Sequence, residues 1–267
     1  MCGRYASSAS PDQLVEIFEV DEVPDLPDVR ALTPRWNIAP TDPVAAIVER
    51  TDRDSGDVTR KLYAPRWGLV PSWSKEPGSG ARMINARAET VAEKPAFRRA
   101  FAQRRCLIPA DGYYEWYPLK NADGTPVLSK GRPVKQPFWI HPLSRPGEPG
   151  LMAMAGIYEF WRDDSLPADD PGAWLTTCSI ITTQVTDSLG MIHDRMPMQV
   201  RRADWDAWLD PHLTDPAAAR QLLHAPSADE MGAYAVSKRV NTVANDGPDL
   251  VQPVEDSGAP DPREGSG

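Results

Sequence analysis

Cys2 follows the initiator methionine directly. A small side chain in second place permits removal of Met1, so the mature chain is expected to begin with Cys2. Its α-amine and its thiol would then share one Cα. An α-amine with a reference pKa of about 7.7–8.0 is roughly one-tenth neutral at pH 7. A free thiol near pKa ~8.5 supplies a few per cent of thiolate. Such a 1,2-aminothiol traps aldehydes: the amine forms a Schiff base, and the sulfur closes on the same carbon to give a five-membered thiazolidine. An internal cysteine has no such route. The plain alternative is a small buried residue near the terminus. Cys106 and Cys178 lie in apolar strand-like runs and read as inert core thiols. Three widely spaced cysteines suit neither a disulfide framework nor a zinc ribbon. Gly-rich phosphate loops, HExxH and EF-hand patterns are absent from the sequence, so no nucleotide, metal or other cofactor is expected.

Other segments carry residues that could serve that chemistry. They are Met1-Cys2-Gly3-Arg4-Tyr5, Arg35-Trp36-Asn37-Ile38-Ala39-Pro40-Thr41, Ile84-Asn85-Ala86-Arg87-Ala88-Glu89-Thr90, Asp111-Gly112-Tyr113-Tyr114-Glu115-Trp116 and Ile192-His193-Asp194-Arg195-Met196-Pro197. In this order, with one fixed at the N-terminus, they resemble the SRAP family of SOS-response-associated peptidases, or abasic-site processing proteins. The resemblance runs from Cys2 to about Pro253. It implies capture of abasic sites in single-stranded DNA, the ring-opened sugar aldehyde reacting with the N-terminal cysteine to leave a stable crosslink. It also implies an active site at Cys2, Asn85, Glu115 and His193. The long 117–137 loop and the acidic tail depart from the family pattern.

Residue chemistry agrees with that assignment. Opening a sugar hemiacetal needs an acid and a base. Glu115 could shuttle a proton between the Cys2 amine and the carbinolamine, and its aromatic neighbours would desolvate it and raise its pKa toward neutrality. A strand glutamate facing water is the alternative. His193 titrates near neutral pH and could protonate the sugar oxygen or hold a phosphate. Asn85 offers both donor and acceptor atoms. Arg4 and Arg87 would pair with phosphates, and the Arg4 charge near Cys2 would favour thiolate. Pro40 and Trp73 lie on proline-bearing loops that could wedge against or stack on bases. Asn37 and Thr182 complete the expected DNA contacts. An abasic nucleotide has no base to unstack, so bringing it into a pocket is less costly than flipping an intact one. Two other readings stay open: an N-terminal-nucleophile peptidase or amidohydrolase using the same residues, and a non-covalent reader of single-stranded or modified DNA.

The elements that must hold these residues are legible in outline. The chain has 267 residues, 41% of them hydrophobic and 25% charged, which fits a globular domain with a sizeable core. The net charge of −9 argues against a bulk nucleic-acid binder. Residues 246–267 hold six acids against Arg263, a net of −5, whereas residues 82–105 carry a net of +5, leaving room for a local basic face. Ser10, Pro11 and Gln13 spell a capped helix start. A hairpin is expected over 44–49 and 58–63. Further strands are expected near 67–70, 105–108, 112–116, 138–141, 152–158 and 179–183. Helices are expected over 92–103, 203–209 and 216–224, and loops over 117–137 and 161–173. Strands and helices mix without regular βα alternation, so the expected fold is α+β: one domain over 2–254, a mostly antiparallel, barrel-like β core with flanking helices. A disordered acidic tail is expected over 255–267. With neither an apolar span nor a signal segment, a cytoplasmic, DNA-associated monomer that avoids membranes is expected.

Overall fold

Period-two alternation along the strands sorts the side chains into layers. The computed structural model describes residues 2–143, 150–167, 169–255 and 259. Its strands are β1 (Tyr5–Ser7), β2 (Arg35–Ile38), β3 (Ala46–Thr51), β4 (Val58–Tyr63), β5 (Arg66–Trp67), β6 (Asn85–Arg87), β7 (Arg105–Ala110), β8 (Gly112–Pro118), β9 (Leu128–Ser129), β10 (Arg132–Pro133), β11 (Lys135–Pro142), β12 (Met152–Arg162), β13 (Trp174–Gln184), β14 (Arg195–Pro197) and β15 (Met231–Ala235). Its helices are α1 (Pro11–Phe18), α2 (Pro27–Arg30), α3 (Arg98–Gln103), α4 (Trp205–Leu209) and α5 (Pro216–Gln221). One five-stranded sheet has the order β15-β11-β8-β1-β2. An eight-stranded sheet runs β14-β13-β12-β7-β3-β4, with β5 and β6 lying parallel beside β13. The architecture is the expected mixed α+β fold. Both strand orders run between separate edges, so the barrel-like core is two open sheets.

The sheets meet face to face. Tyr5, Tyr113, Phe138 and Ile140 from the smaller sheet pack with Cys106, Ile108, Met154, Cys178 and Ile180 from the larger one. The intervening residues point away. Leu107, Ala155 and Ile181 turn to the outer face of the larger sheet, under Leu14 and Phe18 of α1, Phe101 of α3 and Trp208 of α4. Ala6, Tyr114 and Trp139 face outward from the smaller sheet and are covered by Val240 and Leu250. α1 begins as its sequence dictates: Ser10 Oγ accepts from Gln13 N–H, and the Gln13 side chain accepts from Ser10 N–H.

Register brings the chain start to the site. Tyr5 lies opposite Tyr113, and Tyr114 N–H donates to the Arg4 carbonyl at 2.9 Å. Antiparallel running therefore carries Gly3 and Cys2 past Glu115. On the larger sheet, β6 sets Asn85 opposite Ile180 and Arg87 opposite Thr182. The 68–84 segment that delivers β6 depends on a close glycine crossing. Gly68 has φ +129°, and a Cβ on Gly80 would collide with the Gly68 carbonyl and with Val70.

Two expectations need correction. The helix expected over 92–103 is confined to α3, with turns before it, because Pro95 lacks an N–H and disfavours helical backbone at Lys94. The 117–137 segment is an ordered meander containing β9 and β10, stitched by pairs such as Val127 N–H to Leu119 O. The loop expected over 161–173 is met from 163 onward: β12 takes its first two residues, a short turn covers Pro171–Ala173, and β13 starts at Trp174. Most of the expected disordered tail lies outside the described residues. Among the described residues, no helix is long and apolar enough to cross a membrane. Gly80→Ala should lower the denaturant-derived stability by about 1–3 kcal/mol, because two backbones must separate to admit the methyl group. An unchanged unfolding midpoint would show that the crossing is not tight.

Candidate active site

Four chain segments converge at one end of the inter-sheet layer. Cys2 is fully buried, and its carbonyl accepts from Asn85 Nδ2 at 2.7 Å. The Asn85 Oδ1 atom is buried and has no hydrogen-bond partner among the described residues. Its capacity to accept is directed into the site.

Glu115 lies on β8 between Tyr113 and Tyr117, all three on the inner face by alternation. It is only 4% exposed, so the reading of a strand glutamate facing water does not hold. Burial pushes its carboxyl up to about 7, because a low-dielectric layer disfavours the charged form. His193 Nε2 stands 3.9 Å from Glu115 Oε2. On the other side of the ring, Nδ1 accepts from Arg195 N–H at 3.0 Å and lies 2.9 Å from Asp194 Oδ1. Burial holds the His193 pKa below its ordinary value. A carboxyl raised and an imidazole lowered are thereby poised to exchange a proton near neutral pH.

The thiol behaves differently from expectation. Burial, reinforced by the Glu115 charge, pushes the Cys2 thiol far above the ordinary thiol range. The Arg4 guanidinium does not supply the expected thiolate stabilisation, because it is turned away. Its Nη1 donates to Asn37 Oδ1 at 2.7 Å and to the Val240 carbonyl at 2.9 Å, and it sits 5.8 Å from the Trp116 ring centroid. Cys106 and Cys178 are free and fully buried.

The expected DNA contacts divide by exposure. Trp73 is 66% exposed, Arg87 is exposed, and Pro40 is half-buried. Asn37 is fully buried, and its Nδ2 donates to the Val240, Thr242 and Asn245 carbonyls. Thr182 is 1% exposed, with Oγ1 accepting from Arg195 Nε. In this conformation the side-chain polar atoms of Asn37 and Thr182 are engaged within the protein. Asn37 orients Arg4, and Thr182 supports the His193 turn through Arg195. Pro40 sits in a turn closed by Asp42 N–H to the Ala39 carbonyl, with Thr41 at φ +76° and its N–H bonded to the Trp67 carbonyl.

One brace went unnoticed in the sequence. Arg195 is 7% exposed, and its Nη2 donates to Glu89 Oε2 at 2.9 Å and to the Thr182 carbonyl at 2.7 Å. This ties the His193 turn to the segment carrying Asn85. Both residues lie within the motifs quoted above, and their opposite charges are the one signal of it that the sequence holds.

Comparisons with known proteins identify the family. The sequence pattern of the family described as SOS response associated peptidase (SRAP) matches residues 1–243. The abasic site processing protein YoqW of Bacillus subtilis is 36% identical over 252 residues, covering 94% of this chain and 99% of that protein. YedK of Escherichia coli, likewise named an abasic site processing protein, is 29% identical, covering 95% of this chain and all of that one. A solved structure from Bacteroides thetaiotaomicron matches with a TM-score of 0.71 at 25% identity, covering 95% of this chain and 100% of that chain.

The Glu115 shift fixes a pH signature. Its folded value of about 7 lies above the ordinary 4.5. The stability it confers is therefore complete below pH 4.5 and is lost as pH rises through 7. Relative to wild type, Glu115→Gln should gain about 3 kcal/mol of unfolding free energy between pH 4 and pH 8. Parallel pH–stability curves for the two proteins would contradict the buried, raised carboxyl.

Proposed function

Because the chain belongs to the SOS response associated peptidase (SRAP) family, we propose that it processes abasic sites in single-stranded DNA by capturing them covalently at Cys2. The observation that carries this reading is the juxtaposition of a buried Cys2, tied through its carbonyl to Asn85, with a Glu115 carboxyl raised toward neutrality and lying 3.9 Å from the His193 ring. The names of the relatives support the substrate.

Removal of Met1 frees the Cys2 amine. His193 and Glu115 move the protons that open the sugar hemiacetal and expose its aldehyde. The amine attacks C1′, and the carbinolamine loses water as protonated Glu115 supplies the proton to the leaving hydroxyl. The Cys2 sulfur then adds to the iminium carbon. Its proton passes to the Glu115 carboxylate, and the nitrogen becomes a secondary amine. The balance is one aldehyde and one aminothiol giving one thiazolidine and one water. Asn85 Oδ1 accepts from the amine or from the sugar hydroxyl, holding either in line. Arg87, Pro40 and Trp73 engage the flanking strand.

The raised thiol pKa bears on the order of events. A neutral thiol is a weak nucleophile toward an amide, which disfavours the peptidase reading. It suits a thiol that waits for the amine to generate an activated carbon.

Incubation with a uracil-excised single-stranded oligonucleotide should give a heat-stable adduct. Cys2→Ala should give none, and Glu115→Gln should form it ~10²-fold more slowly. Denaturing gel time courses read all three. Wild-type yield from Cys2→Ala would move the nucleophile elsewhere. Turnover of peptides in the absence of DNA would favour the hydrolase.

A further inference from the structure

The 117–135 segment, on which the chemistry above makes no demand, has the build of a grip. Leu119 N–H bonds to the Val134 carbonyl, Val127 N–H to the Leu119 carbonyl and Val134 N–H to the Val127 carbonyl, giving a three-strand meander. Its outer turn, Lys130-Gly131, has φ +49° and +75°, with Arg132 paired to Ser129. Positive φ at both central residues is the type I′ hairpin turn, whose twist matches the flanking strands. The inner turn is fastened by Asp123 Oδ1, which accepts from Thr125 N–H and Oγ1–H. This is an ordered arm, and apart from the row Leu119, Val127 and Val134 its residues from 120 to 135 are exposed.

Charge singles the arm out. On a chain of net charge −9, it carries Lys120, Lys130, Arg132 and Lys135 against Asp123 alone, a net of +3. No ion pair involves any of these four bases among the described residues. Position matters as much. β8 passes Glu115 and runs directly into the arm, which returns through Lys135 at the start of β11. Four residues of strand separate Glu115 from Leu119, a distance of about 13 Å. Because β1 runs antiparallel to β8, the arm extends beyond Cys2 at the same end of the sheet.

We infer that this β-hairpin arm is a second DNA contact, its bases gripping phosphates of the lesion-bearing strand a few nucleotides from the abasic site. The inference rests on the capture reading for its substrate, yet it concerns binding alone. The arm gives an acidic protein a local basic surface beside its nucleophile, where strand flexibility permits contact with the backbone without reading the sequence.

The test is the salt dependence of binding to a long single-stranded oligonucleotide carrying a tetrahydrofuran abasic analogue, which has no aldehyde and cannot be captured. In the otherwise intact full chain, the triple variant Lys120→Gln, Lys130→Gln, Arg132→Gln should bind about 10-fold more weakly at moderate salt. Its slope of log affinity against log salt should be shallower by about 2, since each lost single-strand phosphate contact removes ~0.7. Lys130→Glu alone, at an exposed turn, should flatten the slope by at least ~0.7 and guards against misfolding of the triple variant. Capture of an aldehyde lesion in a trinucleotide, too short to reach the arm, should proceed equally in wild type and variants. Unchanged slope and affinity on the long strand would overturn the inference and leave the lysines as guards against edge pairing. Failure of wild type to capture the aldehyde lesion, with the slope on the long strand still altered, would sink the capture reading and keep the arm.

Discussion

The structure turns on one unfavourable placement: an ionisable carboxyl, Glu115, in the apolar layer between two sheets. Neighbouring inward positions on β8 are Tyr113 and Tyr117, and the facing sheet offers Cys178 and Ile180. Water is thus largely excluded, and the carboxyl holds its proton to about pH 7. The same exclusion keeps the Cys2 thiol neutral and holds the pKa of His193 down. Burial is the first cause of all three shifts, and the charge of the terminal amine acts on each as well.

Holding these groups in place falls to contacts between distant segments. Asn85 arrives on β6, pressed beside β13 by the Gly68–Gly80 crossing, and fixes the chain start through the Cys2 carbonyl. Arg195 joins the His193 turn to Glu89, four residues beyond Asn85. Asn37 spends its amide on three carbonyls of the 240–245 segment and its oxygen on Arg4. Because each brace spans a different pair of elements, the pocket is fixed by the fold as a whole. Groups oriented in advance need no reorganisation when charge moves during reaction.

Much of this was legible in the chain. The α1 capping box and the 44–63 hairpin follow from local chemistry that tertiary packing does not override. Cys2, Asn85, Glu115 and His193 were candidates because the motifs containing them resemble those of the SRAP family, which implies these positions. Three things were hidden. Period-two alternation assigns Glu115 to a face without saying which face is inward, so its burial needed the second sheet. The state of the Cys2 thiol needed three dimensions, because Arg4 is adjacent in sequence yet its guanidinium turns toward Asn37. Asn37 and Thr182 lie beside functional residues in their strands, and only the packed structure shows their polar atoms consumed internally. The 117–137 segment misled by its Pro and Gly content, which here shapes the turns of a meander.

The central claim is that one aldehyde carbon ends bonded to both the nitrogen and the sulfur of Cys2. Peptide mapping of the nuclease-trimmed adduct by tandem mass spectrometry tests it directly, after treatment with a thiol-alkylating reagent. The account predicts an N-terminal peptide that begins at Cys2, carries the sugar remnant less one water, and resists alkylation. A remnant on any other residue, or a modified Cys2 whose sulfur still takes up the reagent, would contradict it.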